Sequence, residues 1–224
     1  MIVGELQALL ARLYRLDVEF DVNDFIVTDR EMVRELVDND VPIADEMLLI
    51  READVAVNGE LDVALYLDAD MMQRLAATDP NCDWNLQANN LNDFCIALEG
   101  ISHFVYVAWN AVQDKQVTQL ELELQAEIDK YLSTRLLLES QAGSAFSANV
   151  LSALFDTISY REDLPPDRLE RYRQANQFAM RFCHNLQQRY PSSADSSSML
   201  DELRDFYRLP QQGKFSHMQA AQVS

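Results

Sequence analysis

From about residue 91 onward the chain repeats apolar residues at helical spacing almost without a break, and this constrains its fold more than any other feature. Phe94, Leu98, Ile101, Val105, Ala108 and Val112 form one apolar stripe and predict a helix over 91–113. Thr118, with Glu121 three residues on, has the spacing of a capping box and opens a second helix over about 118–141. Ala142-Gly143-Ser144 ends it, and a third helix is expected over about 145–159. Asp163-Leu164-Pro165-Pro166 then punctuates the chain before a long helix to Tyr190. Leu169, Tyr172, Asn176, Ala179, Cys183 and Leu186 are its expected buried stripe. A short helix, 199–208, and a polar tail close the sequence. With only 5 glycines and 6 prolines in 224 residues, long helices are the economical use of such a chain.

The first part reads differently. Leu6, Leu9, Leu10, Leu13 and Tyr14 predict an amphipathic helix over 3–15. Asp17 to Val22 alternates charged with apolar residues, the period of a half-buried strand. Thr28 or Asp29 is placed to cap a short helix carrying Met32, Val33, Leu36 and Val37. Residues 47–67 hold two β-rich runs around Asn58-Gly59, which predicts a hairpin. Including Glu60 in the turn pairs Val57 with Leu61 and Val55 with Val63, so that apolar residues share a face. A short helix, Met71 to Ala76, follows. The expected class is therefore α+β, mainly α: a small N-terminal antiparallel sheet with helices, followed by an antiparallel helical bundle. The expected parts are an acidic α+β portion at 1–80, a bundle at 91–190, and a linker, short helix and tail at 191–224, compatible with one continuous core.

Charge is unevenly spread. The whole chain carries 37 acidic against 18 basic residues, and residues 1–100 hold 22 Asp and Glu against 6 Arg. Such a surface repels nucleic acid and anionic lipid, so neither is an expected partner. A basic protein partner is the complementary expectation. Three cysteines without paired spacing indicate neither a disulfide framework nor a CxxC metal site. The N-terminus lacks the features of a secretory signal, and no run of about 20 apolar residues occurs. A cytoplasmic location follows as the expectation.

Nucleotide-binding glycine loops, HExxH and GxSxG are absent from the sequence. What remains is a polar stripe on the 91–113 helix, where Glu99, His103, Tyr106 and Asn110 are spaced four, three and four, with Asn92 upstream. Glu123 and Glu127 stand four apart on the next helix, with Glu121 and Asp129 close by. If the stripes face each other, Glu99, His103 and Tyr106 are the candidate catalytic residues. Glu99, His103, Glu123 and Glu127 are then the candidate ligands of a divalent metal, since imidazole and carboxylate suit zinc, iron or manganese. The plainer expectation is a solvated face in which Glu99 and His103 form an ordinary i,i+4 pair. On the long helix, Arg168 and Arg171 have the spacing to grip a phosphate or carboxylate, or to pair with the acidic first half. Two functions stand open: a regulatory or adaptor protein acting by protein–protein binding, and a helical metalloenzyme or hydrolase with a carboxylate–histidine site.

Overall fold

A computed structural model describes residues 2–38, 41–52, 61–77, 88–142, 150–156, 160, 164–191 and 196–220. The protein is mainly helical, with one three-stranded sheet. Helix α1 spans Ile2–Tyr14 and buries Val3, Leu6, Leu10 and Leu13, as its periodicity predicts. The alternating segment after it is not a strand. Asp21 instead accepts a hydrogen bond from the Asn23 amide and caps a 3-10 turn at Val22–Phe25. The strand follows it as β1, Ile26–Val27. Alternation alone makes no strand where no neighbouring edge receives the backbone.

Asp29 caps α2, Arg30–Leu36, by accepting from the Glu31 and Met32 amides. Strands β2, Glu46–Glu52, and β3, Leu61–Leu67, are antiparallel, but β1 runs parallel to β3, so the sheet is mixed with order β1-β3-β2. The expected register is not adopted. Val63 pairs with Ile50 and Leu61 with Glu52, while Asn58-Gly59, Val55 and Val57 lie outside the described residues. This pairing aligns Leu48 with Leu65 on one face and Met47 with Tyr66 on the other. Leu65 and Leu67 join the main core, whereas Tyr66 packs with Val33 and Ile43 beneath α2. Both faces are therefore covered, and register is set by apolar partners on each.

Asp68 accepts from the Asp70 and Met71 amides at the start of α3, Ala69–Ala77. The long helices are α4, Ala88–Ala111, α5, Gln119–Ala142, and α7, Pro166–Arg189, with the short α6, Val150–Phe155, between the last two. Two further helices close the chain, α8 at Ser196–Arg208 and α9 at Gln211–Ala220. The second occupies what the sequence suggests is a polar tail. One apolar cluster takes in side chains from Val3 through Leu65, Ile101, Ile128 and Leu186 to Met218. α1 ends with Arg15 at φ 50°, and the carbonyls left open there accept from α8. Arg204 donates to Leu13 O at 2.9 Å and Arg208 to Tyr14 O at 3.0 Å.

α5 lies at the centre. From Glu121 to Arg135 every side chain is buried except the partly buried Glu127 and Lys130. α4 crosses the sheet at Gly100, where an added Cβ would lie 2.8 Å from Glu46 Oε2 and 2.9 Å from Leu65. A helix interior disfavours glycine, but here the close approach to β2 and β3 requires it. Val112, expected in the buried stripe of this helix, is 65% exposed because α4 ends before it.

Candidate functional site

Burial all round α5 means that its polar side chains must find partners inside the protein. They do so on two opposite sides. On one side, α4 supplies Glu99 and His103, α5 supplies Glu123, Glu127 and Lys130, and α7 supplies Arg171. The expectation of a solvated stripe on α4 is not met: His103, Tyr106 and Asn110 are all buried, and only Asn92 is exposed.

Glu99, His103 and Glu123 each present a ligand atom within 4.8 Å of the other two. His103 Nε2 lies 3.5 Å from Glu123 Oε2, close enough for charge attraction, yet it makes no hydrogen bond among the described residues. Its side chain is 9% exposed. Glu46 Oε2 and Arg171 Nε are also buried and without hydrogen-bond partners there. Glu127 is held apart from the triad: Lys130 Nζ donates to it at 2.7 Å and to Glu99 Oε2 at 3.0 Å. Of the four candidate ligands, three converge and the fourth pairs with a lysine that the stripe argument does not include.

The electrostatics follow from crowding. Burial alone would lower the His103 pKa, but Glu123, Glu46 and Glu99 more than offset it and hold it at about 9. Burial would raise Glu99, and the Lys130 ammonium with His103 holds it below the ordinary carboxylate range. Glu127 stays above that range, because burial and the neighbouring Glu99 and Glu123 outweigh Lys130. Glu46 is pushed up to about 8 by burial, with Glu99 and Glu123 adding to it. Cys95 borders this group, and burial pushes its thiol up to about 12, so it is a poor nucleophile. Glu46 is invisible to helix spacing because it comes from the first residue of a strand far away in sequence.

Tyr106 goes to the other side. Its hydroxyl donates to Glu121 Oε1 at 2.6 Å, and Asn110 Nδ2 donates to the Tyr106 carbonyl. A tyrosine on this part of α4 is long enough to reach the N-terminal turn of α5. Thr118 does cap that turn, with its Oγ1 accepting from the Glu121 amide at 3.2 Å, but the Glu121 carboxylate is taken by Tyr106. The same side holds Asp129, which accepts from Tyr14, from Ser102 Oγ at 2.6 Å and from Gln125 Nε2 at 2.9 Å. Lys214, from α9, is fully buried and donates to Gln125 Oε1 at 2.5 Å. Its Nζ lies 4.6 Å from the Tyr106 ring centre and 4.9 Å from that of Phe206. Of the α7 arginines, Arg171 faces Glu123 and Arg189 pairs with Glu202, both outside the acidic first half.

No known protein family matches the chain, and neither a curated protein nor a solved structure does. Among the described residues, no helix is long and apolar enough to cross a membrane.

Proposed function

We propose that Glu99, His103 and Glu123 form a divalent-metal site and that the protein acts as a cytoplasmic helical metalloprotein of the hydrolase kind. The observation that carries this reading is the convergence of Glu99, His103 and Glu123, whose ligand atoms lie within 4.8 Å of one another, with His103 Nε2 buried and 3.5 Å from Glu123 but without a hydrogen bond among the described residues. A buried imidazole nitrogen without a hydrogen bond is costly, and a cation between these groups would satisfy it. Such an ion supplies Lewis-acid activation of water or substrate. The chain's own residues do the rest. Lys130 holds Glu99 ionised beside the site and donates to Glu127, and Gly100 lets Glu46 come close from the sheet.

Metal analysis of protein purified without a His-tag tests this. About one equivalent of bound metal, lost on His103→Ala, is the expected result. Absence of metal, with stability unchanged in both His103→Ala and Glu127→Ala, would remove the reading.

A second reading, a regulatory or adaptor protein that binds a basic protein, rests on a different surface. Met32 and Leu36 on α2 are 51% and 54% exposed, one helical turn apart, and flanked by Glu31 and Glu35. A partner captured from the native host whose binding weakens with salt and is lost on Met32→Lys would favour it. Binding that ignores both salt and this substitution would count against it.

A further inference from the structure

The wall that α7 presents to the triad differs in kind from the other walls. α4, α5 and β2 contribute Glu99, Glu123, Glu127 and Glu46, whereas α7 contributes donors. Arg171 Nε stands 3.7 Å from Glu123 Oε1, too far for a hydrogen bond, and has no other hydrogen-bond partner among the described residues. Its guanidinium lies over the Tyr172 ring, 5.8 Å from the ring centre, which fixes the plane of the fork. Tyr172 belongs to the same group: burial raises its hydroxyl pKa, Glu123 and Glu99 add to that, and Arg168 pulls it down. Arg168 stands one turn before Arg171 on α7, and Arg171 faces the carboxylate–histidine group through Glu123.

Charge points the same way. A divalent ion adds positive charge beside the Arg171 guanidinium, and that charge attracts an anion. The ion would also draw Glu123 away from Arg171, freeing the guanidinium fork at the moment an anion can arrive.

We propose that the substrate of this site carries a phosphate group, held between the metal ion of the Glu99–His103–Glu123 triad and the Arg171, Arg168 and Tyr172 donors of α7. This rests on the metal reading above and names its substrate class. A cation and a guanidinium on opposite sides of one oxyanion suit the spread of charge over phosphoryl oxygens.

The test uses the full chain and two titrations. Mn2+ is titrated first, alone; inorganic phosphate is then titrated into Mn2+-loaded and metal-free protein, with acetate in parallel. Phosphate is expected to bind the loaded protein at least ~10-fold more tightly than the metal-free one, as a charge-assisted contact requires. Arg171→Gln should weaken phosphate binding by about 10- to 100-fold while Mn2+ affinity is kept or increased. Arg168→Gln, a change at a partly exposed position that leaves the core intact, should weaken phosphate binding by a smaller factor. Mn2+ binding without phosphate binding, or an unchanged phosphate affinity in both arginine variants, overturns the phosphate inference alone. Acetate binding as tightly as phosphate overturns it in favour of a carboxylate site. Failure of Mn2+ to bind overturns the metal reading and this inference together.

Discussion

The two sides of α5 carry nearly the same residue types and treat them in opposite ways. On the Asp129 side, one carboxylate receives three donors, Gln125 both gives and accepts, and Lys214 is enclosed by rings from α4 and α8. On the Glu123 side, Lys130 donates to Glu99 and Glu127, but His103 Nε2, Glu46 Oε2 and Arg171 Nε lie buried without a hydrogen bond among the described residues. A folded protein ordinarily satisfies its buried polar groups, so a satisfied network identifies structure and an unsatisfied one calls for a ligand. The contrast separates the scaffold from the candidate site within one helix, and it predicts that substitutions on the two sides will be read by different measurements.

The largest effect is expected from Asp129→Ala. It leaves the Tyr14 and Ser102 hydroxyls and the Gln125 amide without their buried acceptor, and removes a carboxylate near Lys214. A loss of about 3–5 kcal/mol in urea unfolding is expected, the scale of breaking a buried charged network. Glu123→Gln, on the other side, should cost less than Asp129→Ala, since its contacts to His103 and Arg171 are long, but should abolish metal binding. Equal losses of stability at the two positions would erase the contrast and make the Glu123 side scaffold as well.

Gly100→Ala sharpens the comparison from the sheet. The new methyl group would press on Glu46 Oε2 and on Leu65, so one of the two must move. The cost expected is about 1–3 kcal/mol, the range for overpacking a core. Displaced Glu46 should also change metal affinity, which a purely structural role for that residue would leave alone. Calorimetric titration of Gly100→Ala with Mn2+ reads the second effect separately from the unfolding midpoint.

How much of this was legible beforehand depended on which signal each element carries. α1, α4, α5 and α7 announced themselves through leucine, phenylalanine and alanine at helical spacing, and their ends lie within a few residues of the expected ones. α9 did not, because its inward face is Lys214 and Met218 among glutamines, and an aliphatic stripe is the only signal that periodicity reads. Asp17 to Val22 had the alternation of a strand, but alternation does not say whether an edge is present to pair with. Three of the four candidate ligands came together because i,i+4 spacing on two antiparallel helices fixes their faces. Spacing could not show that Tyr106 would reach to Glu121, nor that Lys130 would capture Glu127. It also gave no hint of Glu46, since no local rule relates the first residue of β2 to a helix more than fifty residues on.

The smallest effect is the most diagnostic of the closed side. Burial lowers the Lys214 pKa from its ordinary 10.5 to about 7, against the pull of Glu121 and Asp129. Between those values the unfolded chain binds a proton that the folded protein does not, so this residue's contribution to stability rises with pH; below about 7 both states are charged and the cost of burying the ammonium is fully present. Lys214→Met keeps the apolar stem and carries no proton. Relative to the variant, the wild-type protein should therefore gain on the order of 1–3 kcal/mol from about pH 6 to about pH 9. Taking the difference between the two proteins cancels groups common to both, including His103 and Glu46. A difference that stays flat with pH would mean that Tyr106, Phe206 and Tyr207 hold the ammonium fully charged throughout. Lys214 would then be a satisfied ion in an aromatic cage, held by rings and an amide.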